Sequence, residues 1–266
     1  LYFIKQVQHA IFKARGAAGL KRYEKLLSME IFNRNEVVSL YNNAKSADSI
    51  LYNYIRKGYI ASVKRNLYVA ISPYSKQPVA NRFQIASRIK DDSYITHHTA
   101  FEYHGCANQV FFEVYVASAR KFQPFAYDGY TYRYIAPRID TGTIKKPDGV
   151  MVTDMERTIL DGINDFDRIG GFEELLRCIE LVLNVDEGKL MEYLKLYNSC
   201  FMYQKAGYIL DRFKEQLHLT EGIFETCEAA IGKSVRYLYQ GVRMEKPVFD
   251  RRWQLVVPES LTDKYI

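Results

Sequence analysis

No apolar run in the 266 residues approaches the ~18 that a membrane-spanning helix requires. No leader with a basic start, an apolar middle and a small-residue cleavage site opens the chain either. These absences predict a soluble, cytoplasmic protein with no membrane partner. Cysteine is scarce: Cys106, Cys178, Cys200 and Cys227 form no C-x-x-C pair, which argues against a zinc knuckle or a disulfide framework and leaves them as small buried hydrophobes. Also missing are a glycine loop that could cradle phosphate, a G-x-S-x-G nucleophile turn, the H-E-x-x-H zinc pattern and an acidic pair with lysine in nuclease spacing. The sequence is therefore read as a non-enzyme with no cofactor and no metal. Long polar low-complexity tracts are lacking too, and 48% hydrophobic content is ample for packed cores.

What is present is a lopsided charge. Residues through Pro78 hold 13 Lys or Arg against 4 Asp or Glu, a net +9, while the remainder holds 24 against 27, a net −3. The whole cationic excess lies in the N-terminal third, as suits a polyanion-binding module joined to a domain with other work.

Within that third, residues 1–27 read as a helical extension broken at Gly16 to Gly19. Asn33 can cap the next helix, with Glu36 closing a capping box and Phe32 and Val37 forming the hydrophobic staple, so a helix is expected from Arg34 to the Asn42-Asn43 pair. A second helix is expected from a Ser46 cap to Lys57, ended by Gly58. Tyr59 to Val63 and Leu67 to Ile71 then read as strands joined by Lys64-Arg65-Asn66. Helix, turn, helix and basic hairpin is the winged helix-turn-helix order, assigned to residues 28–72. The proline-containing stretch 73–78 reads as a linker. Residues 79–266 mix strands (Phe111 to Ala117, Tyr130 to Ile135, Gly149 to Thr153, Trp253 to Val257) with helices, without βαβ spacing. The expected class is α+β.

Between Ser46 and Gly58, Ala47, Ile50, Leu51 and Tyr54 share one helical face and should pack inward. Ser49, Tyr52, Asn53 and Arg56 have the same spacing on the opposite face. That stripe has the chemistry a major groove requires: Arg can pair bidentately with guanine, Asn with adenine, and hydroxyls with phosphate or base edges. Arg34, Ser46, Lys57 and the hairpin residues Lys64, Arg65 and Asn66 complete the candidate DNA-binding set through phosphate or minor-groove contacts.

The run Asn33 to Ile71, with Tyr54-Ile55-Arg56-Lys57-Gly58-Tyr59-Ile60 leading into Arg65-Asn66-Leu67-Tyr68, resembles the N-terminal domain of AbiEi-type antitoxins. Later segments resemble their C-terminal domain: Tyr94 to Gly105, Val152 to Asp161, and Gly170 to Leu175. The resemblance spans about residues 30 to 260, and no counterpart is found for the stretch before residue 28. It implies an autorepressor that binds repeats of double-stranded DNA in its own promoter, within a bacterial abortive-infection toxin-antitoxin system. The second domain would then help to neutralise a nucleotidyltransferase-like toxin. The alternatives are a winged-helix regulator or interaction protein without a cognate toxin.

Three other groups invite a chemical reading. His97, His98 and His104 cluster, with His97 and His104 seven residues apart on one helix face, but helix-end and packing roles account for them first. Asp154 is the expected N-cap of a helix through Ile163, Glu156 favours its dipole, and Arg157 and Asp161 can pair on the helix surface. Tyr127, Tyr130, Tyr132 and Tyr134 alternate along a strand with Arg133 and Arg138 nearby, and read mainly as core or rim residues.

Overall fold

In a computed structural model, residues 17–261 are described; the expectations for residues 1–16 lie outside them. The class is α+β: helices combine with three sheets, one six-stranded and two three-stranded. The first described helix, α1 (Ala17–Met29), includes Gly19, while Gly16, where the expected break begins, lies outside the described residues. Its Tyr23 and Leu26 enter the same apolar cluster as Val37, Ala47, Leu51 and Tyr54. The boundary placed at residues 27/28 therefore falls inside a helix that belongs to the unit it was meant to precede.

Strand β1 (Ile31–Asn33) follows, then α2 (Arg34–Tyr41), α3 (Ala44–Arg56), β2 (Ile60–Lys64) and β3 (Leu67–Ala70). The Asn33–Glu36 capping box starts α2, and Asn42, in the left-handed region at φ 50°, ends it. β1 was not anticipated, because three residues carry too little periodicity. It pairs antiparallel with β3, which pairs antiparallel with β2.

β3 is apolar on both faces. Tyr68 and Ala70 face the α1–α3 cluster, whereas Leu67 and Val69, with Ile31 and Val63, join Ile85, Val114, Val116 and Val152 of the following unit. The strand's period of two divides its side chains between two cores. Residues 73–78 correspondingly do not form an open linker. Ser72 N–H donates to Gln77 O (2.8 Å), Ile71 bridges Pro78, and Val79 N–H returns to Ala70 O (2.9 Å). The stretch is a closed loop that brings the chain back onto β3. Arg88 pairs with Glu36, and Gln84 Nε2 donates to Glu30 Oε2 (3.0 Å), so polar contacts flank the shared apolar seam.

The larger unit opens with α4 (Arg82–Ala86), shorter than the expected Val79 to Ile89 because Asn81 and Gln84 form its capping box only there. Its sheet has the order β6-β7-β5-β4-β9-β8, built from β4 (Tyr94–Ile95), β5 (Glu113–Ala117), β6 (Phe125–Tyr127), β7 (Tyr130–Ile135), β8 (Thr143–Lys145) and β9 (Met151–Thr153). The β5–β7 and β4–β9 pairs are parallel and the other neighbours antiparallel. Helix α5 (His97–His104) sits between β4 and β5 in the chain and ends at Gly105, whose φ of 76° suits glycine.

Helices α6 (Met155–Asn164), α7 (Phe172–Glu180), α8 (Glu187–Tyr197), α9 (Cys200–Leu210) and α10 (Glu221–Ala230) form a third core with a small sheet. That sheet contains β10 (Arg236–Tyr237), β11 (Pro247–Asp250) and β12 (Leu255–Pro258), in the order β10-β12-β11. Trp253 lies in the turn before β12, not at the start of the strand, and fits against Gly207 of α9, where a Cβ would come within 2.0 Å of the indole. No helix among the described residues is long and apolar enough to cross a membrane.

Candidate nucleic-acid interface

The cap of the second helix lies three residues earlier than expected. Asn43 is the N-cap of α3, its side chain accepting from Ser46 N–H (2.9 Å). Ser46 is thus the third helical residue and its hydroxyl makes no capping bond. Both Asn43 and Ser46 are good capping types in this stretch, which explains the misplacement. The earlier start also puts Lys45, which sequence reasoning passed over, in the exposed first turn.

From Ala47 onward the expected division of faces is the one observed. Ala47, Ile50, Leu51 and Tyr54 are buried, while Ser49, Tyr52, Asn53 and Arg56 are exposed, Tyr52 at 62%. A tyrosine so open needs a reason, since burying a ring of this size is among the larger gains in folding. Arg56 lies over the Tyr52 ring at 5.6 Å and has no carboxylate partner among the described residues. Asn53 Nδ2 donates to Ser49 O (2.8 Å), which sets the amide along the helix and leaves Oδ1 open. The four outward groups therefore include a free guanidinium beside a hydroxyl-bearing ring, with an amide one turn away. Lys57, at the C-cap, is exposed as well.

Acidic groups nearby are held by cations. Arg34 grips Asp48 through two parallel bonds, Nε–Oδ1 (2.7 Å) and Nη2–Oδ2 (2.8 Å), and that guanidinium holds the Asp48 carboxyl below the usual carboxylate range. Arg34, expected among the DNA contacts, is consequently not a free cation; it neutralises the one carboxylate of α3. The hairpin also divides differently. Arg65 and Asn66 are exposed at its tip, with Asn66 at φ 65°, but Lys64 turns towards the larger unit. Its ammonium lies over the Phe122 and Phe125 rings (5.4 and 5.5 Å) and donates to Ile89 O (3.5 Å). Lys64 is thus removed from the outward set, because the turn follows a bulge between Ser62 and Lys64 that re-aims the strand end.

The other singled-out residues lie in the larger unit. His98 is fully buried, stacked on Phe111 at 3.6 Å, and neither ring nitrogen has a hydrogen-bond partner. His104 Nε2 meets Thr153 O at 2.8 Å instead of its own helix end. His97 makes its contact with Thr96, so the three histidines do not converge, and among the described residues no group of three or more His, Cys, Asp or Glu is placed to hold a metal. The Arg157–Asp161 pair forms (3.2 Å) but is buried, contrary to the surface expectation. Residues Glu156 to Ile163 of α6 are all buried, so the polar ones among them are packed among other elements. Tyr132 is buried and stacks on Phe125 at 4.8 Å, while Tyr127, Tyr130 and Tyr134 pack half-buried at the rim of the sheet.

No family model and no curated protein matches the chain. Among solved structures, the RV2827C protein from Mycobacterium tuberculosis is similar over 91% of this chain and 92% of its own, with a TM-score of 0.63 and 13% sequence identity. At that identity the likeness concerns the fold.

Proposed function

We propose that this chain is a DNA-binding transcriptional autorepressor whose residues 31–70 work as a winged helix-turn-helix, with α3 as the recognition helix. The observation that carries the reading is the outward stripe of Ser49, Tyr52, Asn53 and Arg56 on α3, in a third of the chain with a net charge of +9. Arg56 and Asn53 are the base-reading pair. Lys45, Lys57, Arg65 and Asn66 serve as backbone contacts that position the helix. The resemblance to AbiEi-type antitoxins supports a second task for the larger unit, neutralisation of a nucleotidyltransferase-like toxin encoded beside this gene.

The test is binding to the DNA upstream of the gene, followed by fluorescence anisotropy. Arg56→Ala and Asn53→Ala should each weaken specific binding by about 1–3 kcal/mol, roughly 5- to 150-fold, and erase preference at the base each reads. Specific and random duplexes bound equally, or binding insensitive to salt, would end the repressor reading. Lys64 and Arg65 separate wing from anchor. Arg65→Ala should flatten the plot of log K against log salt by about one unit of slope, whereas Lys64→Ala should leave that slope unchanged and lower thermal stability. An equal change of slope for both would contradict the docking of Lys64. For the second task, co-expression with the neighbouring toxin should restore growth, and failure to do so leaves a regulator alone.

A further inference from the structure

A polar cleft of about 280 Å3, close to the roughly 300 Å3 lower end of small-molecule sites, opens beside the N-terminus of α5. Its walls come from β7 and the segment after it, from the end of α6 and from the turn that follows. One buried side chain gives it a chemical direction. Thr96 does not cap α5; its hydroxyl donates to Asp161 Oδ2 (2.8 Å). A hydroxyl has a single proton, so at the His97 contact (Nδ1 to Thr96 Oγ1, 3.0 Å) the threonine accepts and Nδ1 carries the hydrogen. Asp161 is itself held by Arg157 Nε and the Tyr197 hydroxyl, so the relay Asp161–Thr96–His97 has one orientation.

The consequence appears at the other nitrogen. His97 is 5% exposed, burial pushes its pKa below the ordinary imidazole value, and Nε2, which has no hydrogen-bond partner among the described residues, presents a lone pair to the cleft. The ring is otherwise buried and Nε2 opens onto the cleft, so a donor to it comes from whatever occupies the cleft. His97 also keeps a left-handed backbone (φ 53°), uncommon for a residue other than glycine and found where the surroundings over-determine it.

The remaining groups select the rest of the ligand. Arg138 is exposed and has no ion-pair partner among the described residues. Arg168 reaches Asp165 only at 3.5 Å and lies 5.8 Å from the Tyr115 ring. Among the described residues the Asn164 side chain has no hydrogen-bond partner, so its amide is open to the cleft. The unpaired Arg138, with Arg168 shared with Asp165, favours phosphate, and an amide and the Tyr134 ring lining the same cleft favour a flat hydrogen-bonding group.

We propose that this cleft binds a nucleoside 5′-monophosphate, its phosphate on Arg138 and Arg168 and an O–H or N–H of its ribose or base donated to His97 Nε2. The site is independent of the DNA-binding stripe on α3 and makes the larger unit a receptor for a small phosphorylated compound.

Isothermal titration of the full chain with AMP, GMP, CMP and UMP, and with the four nucleosides and inorganic phosphate, tests it. At least one nucleotide should bind with Kd below about 1 mM, and its nucleoside and inorganic phosphate each about tenfold or more weaker. Arg138→Ala, at an exposed position, should weaken the nucleotide by about tenfold or more, and so should His97→Asn, since asparagine tolerates φ 53°. Nitrogen-15 correlation spectra of the free protein should show Nδ1 protonated and Nε2 bare, with the Nε2 resonance moving when the nucleotide binds. No binding by any of the four, equal binding of inorganic phosphate, undiminished binding by Arg138→Ala, or a proton on Nε2 in the free protein would each overturn the assignment.

Discussion

Arg157→Ala should destabilise the protein by about 3–5 kcal/mol, the usual cost of stripping one partner from a buried ion pair. Arg157 is 1% exposed and ties three elements together. Nε bonds Asp161 Oδ2 (3.2 Å), Nη2 bonds the Tyr94 hydroxyl (3.1 Å), and Nη1 donates to Thr141 O. Its removal leaves Asp161 buried with hydroxyl donors but no cation. A loss of that size is a large fraction of the roughly 5–15 kcal/mol that holds a typical domain, so the variant should unfold at markedly lower urea. The origin can be separated from simple loss of packing. With Arg157→Ala already present, Asp161→Asn should recover part of the loss, because a neutral amide no longer needs the missing charge, whereas in the native background Asp161→Asn should itself be costly. A loss under about 1 kcal/mol, or additive effects of the two substitutions, would show that the pair contributes little.

The second large effect is an acid limb traceable to His98. Burial, and secondarily the Arg82 charge, push its pKa down to about 4 from an ordinary 6.5. The unfolded chain takes up that proton first. Stability from this residue is therefore complete above about pH 6.5 and is lost as pH falls towards about 4, a loss on the order of 3 kcal/mol at one site. Glu102, whose Oε2 is 3.9 Å from His98 Nδ1, acts with the opposite sign: burial raises its pKa, so the folded chain takes up that proton first and gains stability as pH falls. Comparing the protein with His98→Phe removes the Glu102 contribution, which both share. Phenylalanine keeps the flat stack on Phe111 and discards two ring nitrogens that have no partners. His98→Phe should thus be as stable as the parent or more so near pH 8, and its stability should fall less steeply from pH 6.5 to 4. Superimposable acid limbs in denaturant titrations would assign the loss to other groups.

Both experiments concern residues whose identity was visible in the sequence but whose surroundings were not. Arg157 and Asp161 stand four apart, which is enough to predict their pairing and says nothing about depth. Depth follows from α6 being covered by α5, α8 and α9, elements up to 60 residues away in the chain. The same applies to Lys64. Read locally it is the first residue of a basic hairpin tip; in the fold it lies over Phe122 and Phe125 of a different unit.

By itself the sequence determined the local grammar of this protein: the Asn33–Glu36 box, the Asn42 and Gly105 stops, the Asp154 cap and the two faces of α3. These depend on contacts within about one helical turn, where residue type and spacing are sufficient. Tertiary structure alone decided that the N-terminal unit shares a core with the rest, through Ile31, Val63, Leu67 and Val69. It also decided that residues 73–78 close into a loop, and that Thr96, His97 and Asp161 meet at one cleft. Those outcomes require surfaces distant in the chain to find each other. The free energy that selects among them comes from burial summed over many side chains, which no single stretch of sequence displays.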